Sequence, residues 1–293
     1  MNNNNQSFLK YDFRKQFRRH GTMAVIARRG SGKSVLLMDV LYCLRHRFDV
    51  GIAFTTTTPT ANKLAEHMPR ACVFTEFSVE KIKTILDEQE LLVAKGKPRD
   101  IFVLLDDCGF DSKSMNSKPM KELFMNGRHK HITFLCALQS PHSLRPDMRQ
   151  QLDVVIALKE NVIPNVKRLH DAFFGSAEWH QFVRMFSAFT ADYGAILVDQ
   201  TVQDTDLTKV VYHYRAEANL PPFICVNKAY FKVWESIKKP VEEVMRLKEQ
   251  QIEDERKRRI IMSAKESGAQ PIHVAVRDRD NTNQTALTVR SLY

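Results

Sequence analysis

Glycine, proline and cysteine are all scarce in this chain. Its 293 residues include 10 Gly and 11 Pro, too few for a collagen-like or Pro/Gly-rich disordered protein. No run of about 18 uncharged apolar residues occurs, so no membrane-spanning helix is expected. The opening Met1, Asn2 to Asn5, Gln6 and Ser7 lack the apolar stretch of a secretion signal. An intracellular protein is the expectation. Cys43, Cys72, Cys108, Cys136 and Cys225 are odd in number and have no CxxC spacing. They read as reduced core thiols, which excludes a disulfide frame or a zinc cluster. His129 and His131 have no further ligands at metal spacing and read as solvated.

What is present is apolar material and positive charge. Hydrophobic residues make up 43% of the chain, enough for one large core with tails. Lys and Arg number 44 against 34 Asp and Glu, a formal charge of +10, which points to nucleic acid or another polyanion. From Met23 onward, short apolar runs alternate with helical patterns. Strands are expected at 23–27, 50–55, 71–75, 101–106, 132–138 and 153–158, and helices at 33–46, 60–67, 79–94 and 119–128. Apolar runs without alternation suit strands buried on both faces, and helices between them suit crossovers. The prediction is an α/β fold with a mostly parallel central sheet flanked by helices. Further strands at 195–199 and 209–214 should pair antiparallel at the sheet edge.

Four segments follow from this pattern. Residues 1–22 form a basic lead-in whose aromatics (Phe8, Tyr11, Phe13, Phe17) interleave with bases (Lys10, Arg14, Lys15, Arg18, Arg19) and read as packing on the core. Residues 23–237 form the main domain. Within it Trp179, Phe182, Phe186, Phe189 and Tyr193 recur at three- and four-residue steps, as on the buried face of a helix. Residues 238–266 form a charged helix opening near Pro240, with acid-to-base pairs such as Glu253/Lys257 at i,i+4. Residues 267–293 are polar and aperiodic, and disorder is expected there.

The chemistry concentrates in two places. Met23 to Ala27 leads into Arg28-Arg29-Gly30-Ser31-Gly32-Lys33-Ser34, and Val35 continues a helix. Strand, glycine-rich loop and helix are what a P-loop requires. Successive amides, from Arg29 to Val35, face the phosphates, the helix N-terminus adds positive charge, Lys33 reaches the β and γ oxygens, and Ser34 ligates Mg²⁺. Ala27 stands where the motif has its first glycine, a substitution the turn accepts if φ stays negative. The second place is Asp106-Asp107, after the apolar run 101–105. It looks like a Walker B pair at a strand tip, with Asp106 in the Mg²⁺ shell and Asp107 orienting and deprotonating water.

A strand between these two motifs makes them non-neighbours in the sheet, as in additional-strand, RecA-like ATPases. Gln139, ending the strand expected beside the P-loop, is a candidate γ-phosphate sensor. Arg128 and Arg149, taken to lie near the nucleotide edge, are candidates for a finger reaching a neighbouring subunit's nucleotide. Ordinary surface or salt-bridge roles are their alternative.

This ordered set resembles the DNA-packaging ATPases of nucleocytoplasmic large DNA viruses, a branch of the FtsK–HerA superfamily of P-loop ATPases. The residues carrying the resemblance are Gly30-Ser31-Gly32-Lys33-Ser34, 82–89, Leu104-Leu105-Asp106-Asp107-Cys108, Asn126-Gly127-Arg128-His129, the strand ending in Gln139, 144–153 with Met148-Arg149, and 193–199. The resemblance implies an ATP- and Mg²⁺-dependent ATPase, a homo-oligomeric ring that drives double-stranded DNA into a capsid. Capsid or membrane portal proteins are the implied partners, and host-cytoplasmic assembly sites or the virion the implied location. It gives Gln139 the sensor role and Arg128 or Arg149 the finger role. Asp107 departs from the glutamate common in the superfamily, which shortens the base by one methylene and demands a closer water. The alternatives are a nucleotide-gated nucleic-acid-binding module without hydrolysis, and a helicase or conjugation-type pump of the same superfamily.

Overall fold

The computed structural model describes residues 7–108 and 112–266, with the short pairs 273–274 and 289–290. The chain divides into two units, Met1–Val233 and Trp234–Tyr293. In the first, β1 (Thr22–Ile26), α1 (Lys33–Leu44), β2 (Val50–Thr55), α2 (Thr58–Ala65), β3 (Val73–Phe74) and α3 (Val79–Ala94) follow in order. Next come β4 (Ile101–Asp106), α4 (Ser112–Met115), α5 (Lys118–Asn126), β5 (Ile132–Leu138), α6 (Pro146–Arg149) and β6 (Val154–Ala157). The unit closes with α7 (Ile163–Phe173), α8 (Trp179–Phe189), β7 (Gly194–Asp199), α9 (Leu207–Val210) and β8 (Val211–Arg215).

The eight strands form one sheet in the order β3-β2-β4-β5-β1-β6-β7-β8. Pairing is parallel from β3 to β6, and β7 and β8 join antiparallel, at the edge where the sequence put them. Successive residues of the central strands go to opposite faces and are buried on both. Ile101, Val103 and Leu105 of β4 pack with Ile82 of α3 and Leu123 of α5. Phe102 and Leu104 face the other layer, with Leu41 of α1 and Leu64 of α2. Helices therefore cover both faces, which is why these strands read as unbroken apolar runs.

Two strand expectations change in detail, and the aromatics of the lead-in pack on the core as read. Strand 71–75 shrinks to β3 because Arg70–Cys72 forms a 3₁₀ turn after Pro69. Strand 209–214 starts at Val211, since Asp206 accepts from the Thr208 amide and winds α9 first. The lead-in belongs to the first unit: Tyr11, Phe13 and Phe17 are at most 2% exposed, and Lys10 bridges to His213 of β8. Each buried ring contributes about 2 kcal/mol. The basic residues spread differently, with Arg18 paired to Asp153 at 2.8 Å and Arg19 paired to Asp100.

Helix α10 (Lys228–Glu266) crosses the division between the units and begins ahead of the expected 238. Its Lys257–Glu253 pair, at 3.7 Å, is one of the i,i+4 contacts read from sequence. The expected tail 267–293 lies outside the described residues, except that His273–Val274 (β9) and Val289–Arg290 (β10) pair antiparallel. Among the described residues no helix is long and apolar enough to cross a membrane.

Candidate active site

Parallel strands end at a common edge, and that edge collects the chemistry. Ile26 is in register with Leu138, and Asp106 with Ala137. The loop after β1, the acids ending β4 and the residue after β5 are thereby brought together. Ala27, buried at 3%, donates its amide to the Leu138 carbonyl at 2.9 Å and keeps a negative φ, so the missing glycine costs no backbone strain. Gly30 and Gly32 do need to be glycine, with φ of +80° and +94°. Ser31 Oγ donates to the Arg28 carbonyl at 2.7 Å and braces the loop.

Lys33 stands between the two acids. Its Nζ lies 3.4 Å from Asp106 Oδ1 and 3.3 Å from Asp107 Oδ2. Gln139 Nε2 donates to Asp107 Oδ1 at 2.8 Å, so both oxygens of Asp107 are held. The backbone of Asp107 has φ +52°, a left-handed turn that aspartate tolerates, and its carbonyl accepts from Thr56 Oγ1 at 3.2 Å. Asp106 is 4% exposed. Burial raises its pKa, Lys33 opposes the rise and Asp107 adds to it. Its buried Oδ1 receives no hydrogen bond, and Lys33 faces it only as an ion pair. A hard cation fits that oxygen, and Ser34, lining the same cleft, is the second residue that could hold one. The neighbouring Cys108 is an inert thiol, pushed up to about 12 by burial first and then by Asp106.

The cleft over the loop has a volume of about 310 Å³. Several of its contributors were not read from sequence. Thr56 and Thr57 follow β2, which neighbours β4 in the sheet. The threonine run 55–58 ending a strand was the available signal. Tyr193 was placed in the aromatic stripe, of which Phe182 and Phe186 are indeed buried, but Tyr193 is 73% exposed and lines this cleft.

The arginines lie elsewhere. Arg128 is exposed in the 3₁₀ turn Gly127–Lys130, which precedes β5 and so sits at the sheet edge opposite the P-loop. Arg149 ends α6, four residues before Asp153, whose amide donates to Thr22 at the start of β1. Neither lines its own chain's cleft.

That opposite edge has its own cluster. His20 Nε2 and His131 Nδ1 lie 2.7 and 3.0 Å from Asp100 Oδ1, and the two rings meet at a 45° tilt with centroids 4.5 Å apart. His131 is thus not a solvated residue; β4 and β5 start side by side and bring it to Asp100. Burial raises the Asp100 pKa, but hydrogen bonds from His131, His20 and Arg19 outweigh it and hold the group at about 2. A cleft of about 820 Å³ opens nearby. Its arginines are engaged: Arg47 donates to the carbonyls of Phe13, Arg14 and Phe17, and Arg19 pairs with Asp100.

Strand order, P-loop and paired acids give this chain the fold of a P-loop NTPase of the additional-strand, RecA-like type. The genome packaging NTPase B204 from Sulfolobus turreted icosahedral virus 2, solved in complex with AMPPCP, has a similar fold. The match has a TM-score of 0.51 at 12% identity and covers 69% of this chain and 99% of that one. In sequence, the chain is 26% identical over 193 residues to the uncharacterised protein 088R of Invertebrate iridescent virus 3, covering 66% of this chain and 74% of the relative. It is 25% identical over 227 residues to the uncharacterised protein L437 of Acanthamoeba polyphaga mimivirus, covering 74% of this chain and 79% of the relative. No protein-family model matches. Both sequence relatives are proteins of viruses, and the structural likeness is one of fold.

Proposed function

We propose that this chain is an ATPase that uses hydrolysis to translocate double-stranded DNA, packaging a viral genome into a capsid. The observation that carries the reading is the meeting of Lys33, Asp106, Asp107 and Gln139 at one sheet edge. A fold shared with a genome packaging NTPase over 99% of that protein supports it.

Phosphoryl transfer needs positioning and charge neutralisation more than covalent chemistry. The amides from Arg29 to Val35 cradle the phosphates, and Lys33 neutralises the β and γ oxygens. Ser34 and Asp106 would hold Mg²⁺, which would supply further neutralisation of phosphate charge. Asp107 orients the attacking water and accepts its proton, and Gln139 fixes the carboxylate that does so. Phosphates compete with Asp107 for Lys33, so nucleotide binding frees one oxygen of the base while Gln139 keeps the other. Proton transfer to Asp107 is thereby coupled to occupancy of the loop. Arg128 and Arg149, outside their own cleft, are suited to a neighbour's site in a homo-oligomeric ring.

Steady-state ATP hydrolysis by the full chain, with and without double-stranded DNA, tests the reading. The expected result is Mg²⁺-dependent hydrolysis stimulated by DNA. Nucleotide and DNA binding with no hydrolysis would replace it with a nucleotide-gated binding module, and strand displacement would favour a helicase.

A further inference from the structure

Tyr193 is an exposed aromatic that core packing does not explain. It follows α8 with 73% of its surface in water and has φ +59°, directly after Asp192 at φ +47°. Two consecutive non-glycine residues in the left-handed region are strained, so the surroundings must enforce the turn. Gly194 passes so close to the Phe189 carbonyl oxygen that an added Cβ would lie 2.1 Å from it. Arg215, on β8, donates to the Ala191 carbonyl at 3.3 Å and faces the Asp192 carboxylate at 3.8 Å. Strained from within and clamped from β8, the turn holds the ring over the P-loop. Tyr193 Cδ1 would be 3.4 Å from a Cβ at Gly32, and the ring lines the cleft together with Gly30 and Lys33.

We propose that Tyr193 is the platform on which the base of the bound nucleotide stacks. This rests on the nucleotide-binding reading above. The loop amides and Lys33 serve the phosphates, and a base leaving that cradle needs a flat apolar surface. Among the described residues Tyr193 is the one aromatic lining the cleft; the other contributors there are polar or small, apart from Val35. Every base has a π-face, so a stacking platform binds purines without reading their hydrogen-bonding edges. Tyr193 therefore strengthens ATP and GTP binding alike and leaves phosphate recognition to the loop.

Equilibrium binding by the full chain separates these contributions when ATPγS and GTPγS are compared with inorganic tripolyphosphate, which has no base. Tyr193→Asn keeps a residue that accepts the left-handed turn but removes the ring, and Tyr193→Phe keeps the ring. The expected result for Tyr193→Asn is roughly ten- to a hundredfold weaker binding of both nucleoside analogues, with tripolyphosphate binding unchanged and Tyr193→Phe like the natural chain. Unchanged ATPγS affinity in Tyr193→Asn would overturn the proposal. So would an equal loss of tripolyphosphate binding, since the ring would then only prop the loop. A natural chain that binds neither ATPγS nor tripolyphosphate overturns the nucleotide reading itself, a distinguishable failure.

Discussion

Gln139 and Asp107, 32 residues apart in sequence, are joined side chain to side chain at 2.8 Å across the tips of two adjacent parallel strands. With Lys33 on the other oxygen at 3.3 Å, Asp107 is fixed in direction before any water reaches it. For Asp107 as the proposed base, one methylene shorter than glutamate, that fixing would compensate: a short side chain can work if it does not wander.

The three residues should separate binding from turnover. Lys33→Ala is expected to lose hydrolysis and weaken nucleotide binding, because it removes the charge between the phosphates. Asp107→Asn should bind ATP and hardly turn over. Gln139→Ala should bind ATP normally and turn over about tenfold to a hundredfold more slowly, since misplacement of about 1 Å costs that much. Single-turnover kinetics beside nucleotide titration checks all three, and near-normal turnover by Asp107→Asn would move the base elsewhere.

Arg128 and Arg149 lie away from their own cleft, so their effect is expected in trans. An Ala variant of the true finger should bind ATP normally and hydrolyse it slower by about three orders of magnitude. Mixed with Lys33→Ala chains, it should regain activity, because each chain supplies the half-site the other lacks. Mixed rings that form without any rescue would exclude a shared site.

DNA contacts should go to phosphate and depend steeply on salt. Arg18 and Arg19 are held by Asp153 and Asp100; of the lead-in's other bases, Lys10 and Arg14 lie over tyrosine rings and exposed Lys15 makes only a 3.8 Å pair with Asp12 within its own turn. Neutralising those three is expected to weaken DNA binding and lower the salt slope by about one per lost phosphate contact. Deleting the lead-in should instead unfold the protein, because Tyr11, Phe13 and Phe17 are core. Binding titrations at several salt concentrations, with thermal melts as control, check both. Sequence-specific binding that persists at high salt would sink the translocase reading.

Asp100 makes a pH-dependent contribution to stability. Its pKa in the folded chain is about 2, below an ordinary aspartate near 3.9. The folded state therefore binds fewer protons than the unfolded chain, and stability is present above about pH 4 and lost as pH falls toward 2. His20, its pKa lowered chiefly by burial, adds a loss in the same direction once pH drops below about 6.5. Asp100→Asn is expected to cost roughly 1–2 kcal/mol at neutral pH, allowing for solvent at the Arg19 end, and to flatten the loss between pH 4 and 2. Urea unfolding across that range measures it; a variant with an unchanged pH profile would remove Asp100 from the account.

The sequence by itself determined the strand-and-helix rhythm, the P-loop and the acid pair. Those signals are local: β4 must be apolar at every position because both faces are covered, and Gly30 and Gly32 must be glycine because their φ is positive. Even Gln139 beside the P-loop strand was legible, from its place at a strand end. Only the tertiary structure decided what depends on which strands become neighbours and where their ends fall. The stripe containing Tyr193 continued the helical period by residue type, yet the chain turns left-handed at Asp192 and lifts the ring out to the cleft. Arg128 and His131 are three residues apart. Because they precede a parallel strand whose far tip carries Gln139, the fold puts both at the edge away from the nucleotide site, and it ties His131 to Asp100. Sequence spacing cannot encode such distances, because they are set by the order β4-β5-β1 in the sheet.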